Sequence, residues 1–504
     1  MNIKRIKEYA INSYIYNTYY HKKIDENLVY VESRDGNDFA GNILRIVEEL
    51  STGKYGSFRI VVYAKDNVHK KIKELQKNYS LKIDEITSKE SSATKTMEKA
   101  KYIITDSGLR PKYVKRPGQI VLNTWHGTPL KTMGVDNIAE QYRIGNIQQV
   151  FFSCDYLLYP NEYIMEKMLN SYMVEKIYPG KIIFEGYPRN SVFFDEKRAD
   201  ELKNTLNLKD KEVIAYMPTF KGLMLKRKDD TQKSDVERYL SKIDESLNEN
   251  QILLVKLHVF NQKQIDFSRF RHVRAFPQGF ETYDILNICD CLITDYSSVF
   301  FDYANTKNKI ILFNYDEAEY MKDRGTYFPL SDLPFPRVQN VNDLINEINS
   351  PKVYDDSEFL NQYCPFENLN ATEHLCELVF NGKNACMIKK YENRKENVLI
   401  KMDDVDDDKI SRLLKEISGL NTDDKNYFIS YPTWNEYIKQ NYSDLFDNVP
   451  DDVEFAPIRS PINPTLSEEL ILKIKPKSKL LNNLYEREQK RSFNELIFNI
   501  FDFN

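Results

Sequence analysis

Two successive series of short apolar runs, each run followed by a helical or loop stretch, predict an α/β protein. The series occupy residues 28–184 and 213–313. Strands that alternate with helices form parallel sheets covered on both faces. A chain of 504 residues is also too long for one hydrophobic core and fits two or three domains. We therefore expect two Rossmann-like domains that face a cleft, with an appended C-terminal segment.

Near the N-terminus, residues 3–23 place Ile, Ala and Tyr at helical spacing between basic ends. A helix of this kind can lie in a membrane interface or pack on its own domain, and both interpretations stay open. We assign residues 1–25 to this amphipathic helix.

The first Rossmann-like domain is predicted over residues 26–195 and the second over residues 196–385. Strands of the first are expected at residues 28–31, 58–63, 102–105, 120–124, 156–159 and 182–184. Strands of the second are expected at residues 213–217, 252–257, 273–276, 291–294 and 310–313. Between the first two of these, the polar residues 226–235 predict an exposed loop.

Residues 386–504 differ in character and predict an appended tail or small domain, whose role the sequence leaves open. Its acidic run at residues 403–409 is typical of a solvated linker. The lysine-rich residues 473–479, next to several leucines, favour a solvated surface, with contact to anionic lipid or polymer as the alternative.

Composition and charge exclude several classes of protein. The net charge of −5 argues against a general nucleic-acid binder. The six Cys form no CxxC pair and predict reduced, buried side chains. No run approaches the roughly 20 apolar residues that span a bilayer, and no signal-peptide pattern is present. We therefore expect a cytoplasmic protein that can touch the membrane from that side.

Polar residues follow the predicted strands, which is where open α/β sheets bind ligands. His126 lies in NTWHGTPLKTMG, directly after the apolar residues 120–122. A histidine in such a turn can act as a general base near neutral pH, although loop histidines are often structural. Lys131, in the same loop, can hold a phosphate.

Three further loops carry candidate phosphate ligands. Arg189 in FEGYPRN offers a planar fork for phosphate. Thr219 and Lys221 in MPTFKG follow another strand. His258 in LVKLH closes an apolar strand, where an imidazole can stabilise charge on a leaving phosphate.

The strongest pattern is CLITDYSSVFFD, in which a strand ends in Thr294 and Asp295 and a helix begins at Ser297 and Ser298. Serines at a helix start cap backbone N–H groups. The same N–H groups, with the helix dipole, suit a pyrophosphate, and capping alone is the alternative. Upstream, in ETYDIL, the carboxylate of Asp284 can bond ribose or polyol hydroxyls.

Two kinds of chemistry lack their usual motifs. The sequence has no GxxxxGK[ST] loop and no GxGxxG fingerprint, so the phosphate cradles of ATP hydrolysis and nicotinamide chemistry are missing. No set of His, Cys and carboxylate residues has metal-ligand spacing. We expect no metal site and no cofactor besides the donor substrate, and the need for a divalent ion stays open.

These motifs, in this order, resemble the CDP-glycerol glycerophosphotransferases, the teichoic acid primases and polymerases of Gram-positive bacteria and some capsule synthases. The resemblance rests on NTWHGTPLK, GYPRN, MPTFKG, the histidine of LVKLH and LITDYSSVFFDYA, and covers residues 28–380. It implies a fold similar to two-domain GT-B glycosyltransferases. It also implies a peripheral position on the cytoplasmic membrane face, where lipid-linked acceptors are met.

The resemblance implies roles for individual residues. His126 matches the histidine that deprotonates the acceptor hydroxyl, and His258 matches the one that contacts the donor pyrophosphate. With the residues above, we expect donor or phosphate contacts from Arg189, Thr219, Lys221, Thr294, Asp295, Ser297 and Ser298. We expect acceptor, polyol or ribose contacts from Gly127, Thr128, Lys131 and Asp284. The chain departs from the family at Val259, where proline is common, and at Met217, where alanine is usual.

The predicted reaction is transfer of a polyol phosphate, with glycerol phosphate favoured, from a CDP-polyol to a polymeric or lipid-linked hydroxyl with release of CMP. CDP-ribitol as donor, and capsule in place of teichoic acid as product, stay open. A glycosyltransferase that uses a nucleotide sugar on the same scaffold is the alternative enzyme. A non-catalytic polymer- or membrane-binding protein is the alternative from another class.

Overall fold

A computed structural model of the chain describes residues 11, 14, 15, 18, 19, 22–110, 113, 115–219, 231–257, 265–315, 317, 320, 325–390, 395–402, 407–431 and 447–457. Most of the predicted N-terminal helix, the lysine-rich residues 473–479 and most of the acidic run lie outside these residues. So do residues 226–230 of the predicted loop at residues 226–235, whereas residues 231–235 belong to a helix, contrary to the prediction. Within the described ranges, no helix is both long and apolar enough to cross a membrane.

The first sheet contains the six strands predicted for the first series and two strands that were not predicted, at residues 85–87 and 387–390. Its strands are β1 (Asp25–Glu32), β2 (Arg59–Tyr63), β3 (Glu85–Thr87), β4 (Ala100–Thr105), β5 (Ile120–Asn123), β6 (Tyr156–Tyr159), β7 (Lys181–Phe184) and a later strand, Met387–Lys390, which is β14. They lie in the order β14-β7-β6-β5-β4-β1-β2-β3. Every neighbouring pair is parallel except β14 with β7.

The second sheet is parallel throughout. Its strands are β8 (Glu212–Met217), β9 (Gln251–Val255), β10 (Val273–Ala275), β11 (Cys291–Thr294), β12 (Lys309–Phe313) and β13 (Arg337–Val338). They lie in the order β10-β9-β8-β11-β12-β13. The prediction of a mixed α/β protein with parallel sheets is confirmed.

Helices connect the strands and cover the faces of the sheets. The helices are α1 (Gly41–Ser51), α2 (His69–Asn78), α3 (Glu90–Lys99), α4 (Gly145–Ser153), α5 (Glu162–Ser171), α6 (Glu196–Thr205), α7 (Thr231–Ser246), α8 (Thr282–Asn287), α9 (Val299–Tyr303), α10 (Val341–Asn349), α11 (Ser357–Tyr363), α12 (Ala371–Asn381) and α13 (Asp407–Ile417). Some begin at a polar cap. The Oδ1 of Asn161, for example, accepts the backbone N–H of Ile164 at 2.8 Å at the start of α5.

Burial explains why the central strands read as continuous apolar runs in the sequence. Leu28, Val29, Tyr30 and Val31 of β1 are all fully buried. A parallel strand with helices on both faces cannot alternate apolar and polar residues, since both of its sides meet the core. The second sheet has a separate apolar core on each face.

A small third sheet follows the first two in the chain. It contains β15 (Glu396–Lys401), β16 (Lys425–Ser430) and β17 (Val453–Phe455), which pair in parallel in that order. Its apolar residues share one continuous core with the first sheet. The buried amide of Gln148, in α4, donates to the carbonyls of Phe455 at 2.7 Å and Tyr172 at 2.9 Å. Described parts of the predicted appended segment are thus tied to the first sheet, both through β14 and through this packing.

A buried ion-pair cluster joins the helices of the first and second sheets around Asp284 of α8. Its Oδ1 lies 2.7 Å from a terminal nitrogen of Arg45 in α1 and 2.7 Å from Nε of Arg198 in α6. The hydroxyl of Tyr79, which follows α2, donates to Oδ2. Burial opposes ionisation, yet the two guanidinium groups hold the pKa of Asp284 below its ordinary value.

The predicted contact of Asp284 with ribose or polyol hydroxyls therefore finds no support in the structure. Both carboxylate oxygens are already occupied by Arg45, Arg198 and Tyr79. The carboxylate fixes how the two sheets are placed.

Replacing this carboxylate should destabilise the protein. In Asp284→Asn the guanidinium of Arg45, whose side chain is 3% exposed, loses a buried counter-charge. We expect a loss of about 3–5 kcal/mol in the free energy of unfolding, measured by urea denaturation. Glu373→Gln is the matched control, because its partner Lys54 is exposed and the unfolding midpoint should hardly move. Equal midpoints for the two variants would contradict the role of Asp284.

Candidate active site

Three of the predicted motifs meet at one point between the first and second sheets. Gly127 follows β5, Arg189 follows β7, and Ser298 precedes α9. A Cβ atom placed on Gly127 would lie 3.2 Å from Oγ of Ser298 and 3.5 Å from a terminal nitrogen of Arg189. The φ of Gly127 is +150°, a region that side chains with a Cβ rarely adopt. The close approach of the three loops thus depends on glycine at this position.

His126 stands at this junction on a loop whose shape is fixed by hydrogen bonds. The preceding residue, Trp125, has a φ of 50°, which is unusual for a bulky side chain. Its N–H donates to Oδ1 of Asn123 at 2.8 Å, and its carbonyl accepts from the side chain of Asn42 at 3.3 Å. The indole stacks on the imidazole of His126, with ring centroids 4.5 Å apart. The position of His126 is therefore determined by its backbone and by one flanking ring.

A main-chain carbonyl decides which nitrogen of His126 carries the proton. Nδ1 lies 2.7 Å from the carbonyl oxygen of Asp106, and a carbonyl can only accept a hydrogen bond. Nδ1 is therefore the protonated nitrogen, and the lone pair is on Nε2. Partial burial, with the positive charges of Arg34 and Arg189 nearby, lowers the pKa of His126 to about 4. At neutral pH the imidazole is uncharged and able to accept a proton.

Asp106 was missed by the sequence analysis, although it directly follows the predicted strand at residues 102–105. Its buried carboxylate accepts the hydroxyl of Ser33 at 2.7 Å and the backbone N–H of Arg34 at 2.8 Å. One residue thus connects the loops after β1, β4 and β5. The position of Asp106 directly after a predicted strand is the feature of the sequence that could have pointed to it.

Arg189 is buried in an ion pair that crosses between the sheets. One terminal nitrogen lies 3.0 and 2.9 Å from the two carboxylate oxygens of Asp302, in α9. The same carboxylate accepts from the hydroxyl of Tyr283 at 2.9 Å and from the amide of Asn190 at 3.0 Å. One terminal nitrogen of the guanidinium is thus paired with Asp302. Its positive charge also lies near His126. Its predicted contact with donor phosphate stays a prediction.

Three other predicted phosphate ligands bond to one another or to nearby backbone. The carboxylate of Asp295 accepts the N–H and the hydroxyl of Thr219, at 2.8 and 3.0 Å. The hydroxyl of Thr294 donates to the carbonyl of Met217 at 2.7 Å. These bonds join the carboxyl ends of β8 and β11. Thr219, Thr294 and Asp295 therefore shape the site, and no contact in the structure tests their predicted role toward phosphate.

The two serines before α9 remain partly exposed. Ser298 occupies the N-cap position of α9, but its side chain makes no capping bond. The hydroxyl of Ser297 accepts the N–H of Val299 at 3.5 Å. The expected side-chain cap is thus weak, and the Ser298 hydroxyl lies instead against Gly127.

Of the four remaining predicted site residues, the structure describes two. Thr128 is buried. Lys131 pairs through its backbone with Thr326, and its Nζ lies 5.6 Å from the ring centroid of Tyr320. His258 and Lys221 lie outside the described residues. Within the described part of the chain, no three His, Cys, Asp or Glu side chains group as a metal site.

Lys256, which follows β9, is a second residue that the sequence analysis missed. Its ammonium group contacts the hydroxyl of Thr282 at the start of α8. Burial, with the charge of Lys71 on the first-sheet side, lowers the pKa of Lys256 to about 8. The feature of the sequence that could have pointed to Lys256 is a charged residue at the end of an apolar strand.

Residues 14–381 match the family model of the CDP-glycerol:poly(glycerophosphate) glycerophosphotransferases. The chain belongs to this family. The resemblance seen in the motifs is thus confirmed over most of the chain, and the family members are transferases.

Two relatives show the extent of this similarity. The chain is 29% identical over 312 residues to the teichoic acid poly(glycerol phosphate) polymerase of Bacillus subtilis strain 168, a match that covers 57% of this chain and 40% of the relative. It is 27% identical over 401 residues to the teichoic acid glycerol-phosphate transferase of Staphylococcus aureus, which covers 75% of this chain and 98% of the relative. The chain thus spans less than half of the first relative and nearly all of the second.

The fold resembles that of a solved family structure. The wall teichoic acid polymerase TagF superposes with a TM-score of 0.63 at 23% identity, covering 76% of this chain and 95% of that chain. At this identity the likeness concerns the fold.

Gly127→Ala should abolish most of the transferase activity without unfolding the protein. The new Cβ would lie 3.2 Å from Oγ of Ser298, closer than ordinary contact, and would hold a strained φ, so Ser298 and the loop of Gly127 have to shift. In the assay of CMP release that tests the function proposed below, we expect the rate to fall at least about tenfold, since small misplacements at reacting centres cost large factors.

Gly382→Ala is the matched control for this variant. Gly382 also has a positive φ, but nothing lies within 4 Å of a Cβ placed there. It should carry the milder strain of a left-handed residue, since its φ is 67°, and keep the activity. Similar losses of activity in both variants would contradict the importance of the junction.

Proposed function

We propose that the chain transfers glycerol phosphate from CDP-glycerol to a hydroxyl of a cell-surface polymer or lipid-linked acceptor in teichoic acid or capsule synthesis. One observation supports this reaction most directly. The Asp106 carbonyl holds the proton of His126 on Nδ1, which leaves Nε2 as a base where the motif loops meet. Family membership supports the choice of donor.

The two large sheets, parallel apart from β14, suit the two domains of a GT-B transferase. In this proposal residues 26–195 receive the acceptor, and residues 196–385 bind the cytidine nucleotide. The pyrophosphate lies near Ser297 and Ser298, whose partial exposure at the start of α9 supports this position. His258 and Lys221 are assigned to the same phosphates from their motifs alone.

The reaction follows from this arrangement. The acceptor hydroxyl gives its proton to Nε2 of His126, and its oxygen attacks the phosphorus that carries glycerol. The bond from that phosphorus to the bridging oxygen breaks, and CMP leaves with the electron pair. Fixed positions for both substrates supply most of the rate enhancement, and the general base adds about 10²–10⁴-fold. CDP-glycerol is a substrate in this scheme, and no separate cofactor is assigned.

The proposal also places the protein peripherally on the cytoplasmic face of the membrane. The amphipathic pattern of residues 3–23 supports this location, since its basic ends and tyrosines suit an anionic interface.

The donor and the role of His126 are tested together by CMP release. The purified protein is incubated with CDP-glycerol, CDP-ribitol or a UDP-sugar, each with a glycerol-phosphate-terminated acceptor. We expect acceptor-dependent release of CMP from CDP-glycerol. Release of CMP from CDP-ribitol alone would identify ribitol, in place of glycerol, as the polyol that is transferred. Transfer from the UDP-sugar alone would show that the chain is a glycosyltransferase.

His126→Asn isolates the base, because the asparagine amide can still donate to the Asp106 carbonyl while Nε2 is lost. We expect the rate to fall by about 10²–10⁴-fold with an unchanged unfolding midpoint. His272→Asn is the matched control, because Nδ1 of His272 also lies near a carbonyl, that of Gln251, at the opposite end of the strands. Near-wild-type turnover in His126→Asn would rule out the assigned role.

A further inference from the structure

Asn42, the second residue of α1, lies against the loops that carry His126 and Arg189. It is buried, with only 1% of the residue exposed. The amide nitrogen donates to the carbonyl of Trp125 at 3.3 Å, and the amide oxygen accepts the backbone N–H of Arg189 at 3.2 Å. One side chain thus bonds the main chain of the loop after β5 and that of the loop after β7.

The carbonyl that Asn42 holds belongs to the peptide that joins Trp125 to His126. The same oxygen accepts the hydroxyl of Thr124 at 3.0 Å, so both of its lone pairs are used. The N–H of Trp125 is held by Asn123, and its φ of 50° is a left-handed value that the surrounding structure has to impose. The direction in which His126 leaves the main chain therefore depends on the bonds around this peptide.

Both ends of the link through Asn42 are anchored. The start of α1 is fixed to the second-sheet side, where the buried carboxylate of Glu281 accepts the N–H of Gly41 at 3.2 Å. The loop of Arg189 is held by Glu367, between α11 and α12, which accepts the N–H of Tyr187 at 3.1 Å. The amide of Asn42 therefore joins the loop of His126 to main chain that is already fixed in place.

We propose that Asn42 is a positioning residue for the transfer reaction, which sets the spacing between the imidazole of His126 and the guanidinium of Arg189. The inference rests on the proposed function. Asn42 touches no substrate in this scheme and acts through the main chain of the two loops. A misplacement of about 1 Å at a reacting centre costs about 10²-fold in rate, so the loss of this amide should appear in kcat.

Asn42→Ala removes both bonds without changing the charge of the site. We expect kcat for CMP release to fall about tenfold or more, because the base is displaced. The KM for CDP-glycerol should stay within about twofold, because the proposed phosphate contacts at the start of α9 are kept. Asn42→Ser should show the same split even if Asn42→Ala does not fold, since one hydroxyl on a shorter side chain cannot bond both loops at once.

Asn161→Ala is the matched control. Asn161 is also fully buried, its Oδ1 accepts the backbone N–H of Ile164 at 2.8 Å, and its amide nitrogen donates to the carbonyl of Tyr363 at 2.7 Å. The variant loses the same two kinds of bond and should lower the unfolding midpoint to a similar extent, while kcat stays near the wild-type value. Equal losses of kcat in the two variants, or a change confined to KM in Asn42→Ala, would overturn the proposal.

Exchange of the Nδ1 proton of His126 with water tests the link without any substrate. In the wild-type protein the Asp106 carbonyl holds this proton. We expect NMR to show exchange about tenfold or more faster in Asn42→Ala and in Asn42→Ser, because the loop of His126 opens more often, and an unchanged rate in Asn161→Ala.

This measurement separates the inference from the proposed function. Equal exchange in the wild-type protein and both Asn42 variants would overturn the role of Asn42 even if CMP release establishes the transferase. Absence of CMP release from the wild-type protein would instead overturn the proposed function.

Discussion

A single hydrogen bond, from Nδ1 of His126 to the main-chain oxygen of Asp106, fixes which nitrogen of the imidazole can accept a proton. A side-chain carboxylate in that position would favour the charged imidazolium, whereas a neutral carbonyl orients the ring with less bias toward protonation. Burial and the nearby guanidinium groups then favour the uncharged form. The imidazole proposed as the base is thus uncharged, with its lone pair on Nε2, before any substrate binds.

Asp106 connects this bond to the rest of the cleft. Its carbonyl orients His126, and its buried carboxylate holds the loop that carries Arg34. A change at Asp106 therefore affects both groups. Ser298, from the second-sheet side, and Arg189, from the first, both approach Gly127 closely enough that a Cβ there would lie 3.2 and 3.5 Å from them.

Two buried ion pairs keep the sheets in this arrangement. Arg189 with Asp302, and Arg45 with Asp284, each join the first-sheet side to the second. Buried ion pairs contribute little net stability compared with apolar contacts, since both charges lose water. Their geometric requirements, however, are strict, and a displaced sheet would leave a charge buried without a partner. We infer that they specify the relative position of the sheets more than they add stability.

Much of the fold was predictable from the sequence, because parallel strands buried on both faces appear as continuous apolar runs such as residues 28–31. The loops carrying His126 and Ser298 were predictable as well, since polar motifs followed those runs. The pairing of Arg189 with Asp302 was not, because it joins residues far apart in the chain and depends on how the sheets meet. The pairing of Asp284 with Arg45 was hidden for the same reason, because the sequence neighbours of Asp284 gave no sign of Arg45. The strand β14 pairs with β7, which is also far away in the chain, so its membership of the first sheet was hidden as well.

The protonation state of His126 is the most direct measure of this account. Nitrogen-15 NMR of protein labelled at histidine, with His126→Asn used to assign the signals, reports both ring nitrogens between pH 3 and pH 8. We predict a proton on Nδ1 and none on Nε2 at neutral pH, with the second proton added only as the pH falls through about 4. A proton on Nε2 at neutral pH, or a midpoint near the ordinary value of about 6.5, would contradict the account.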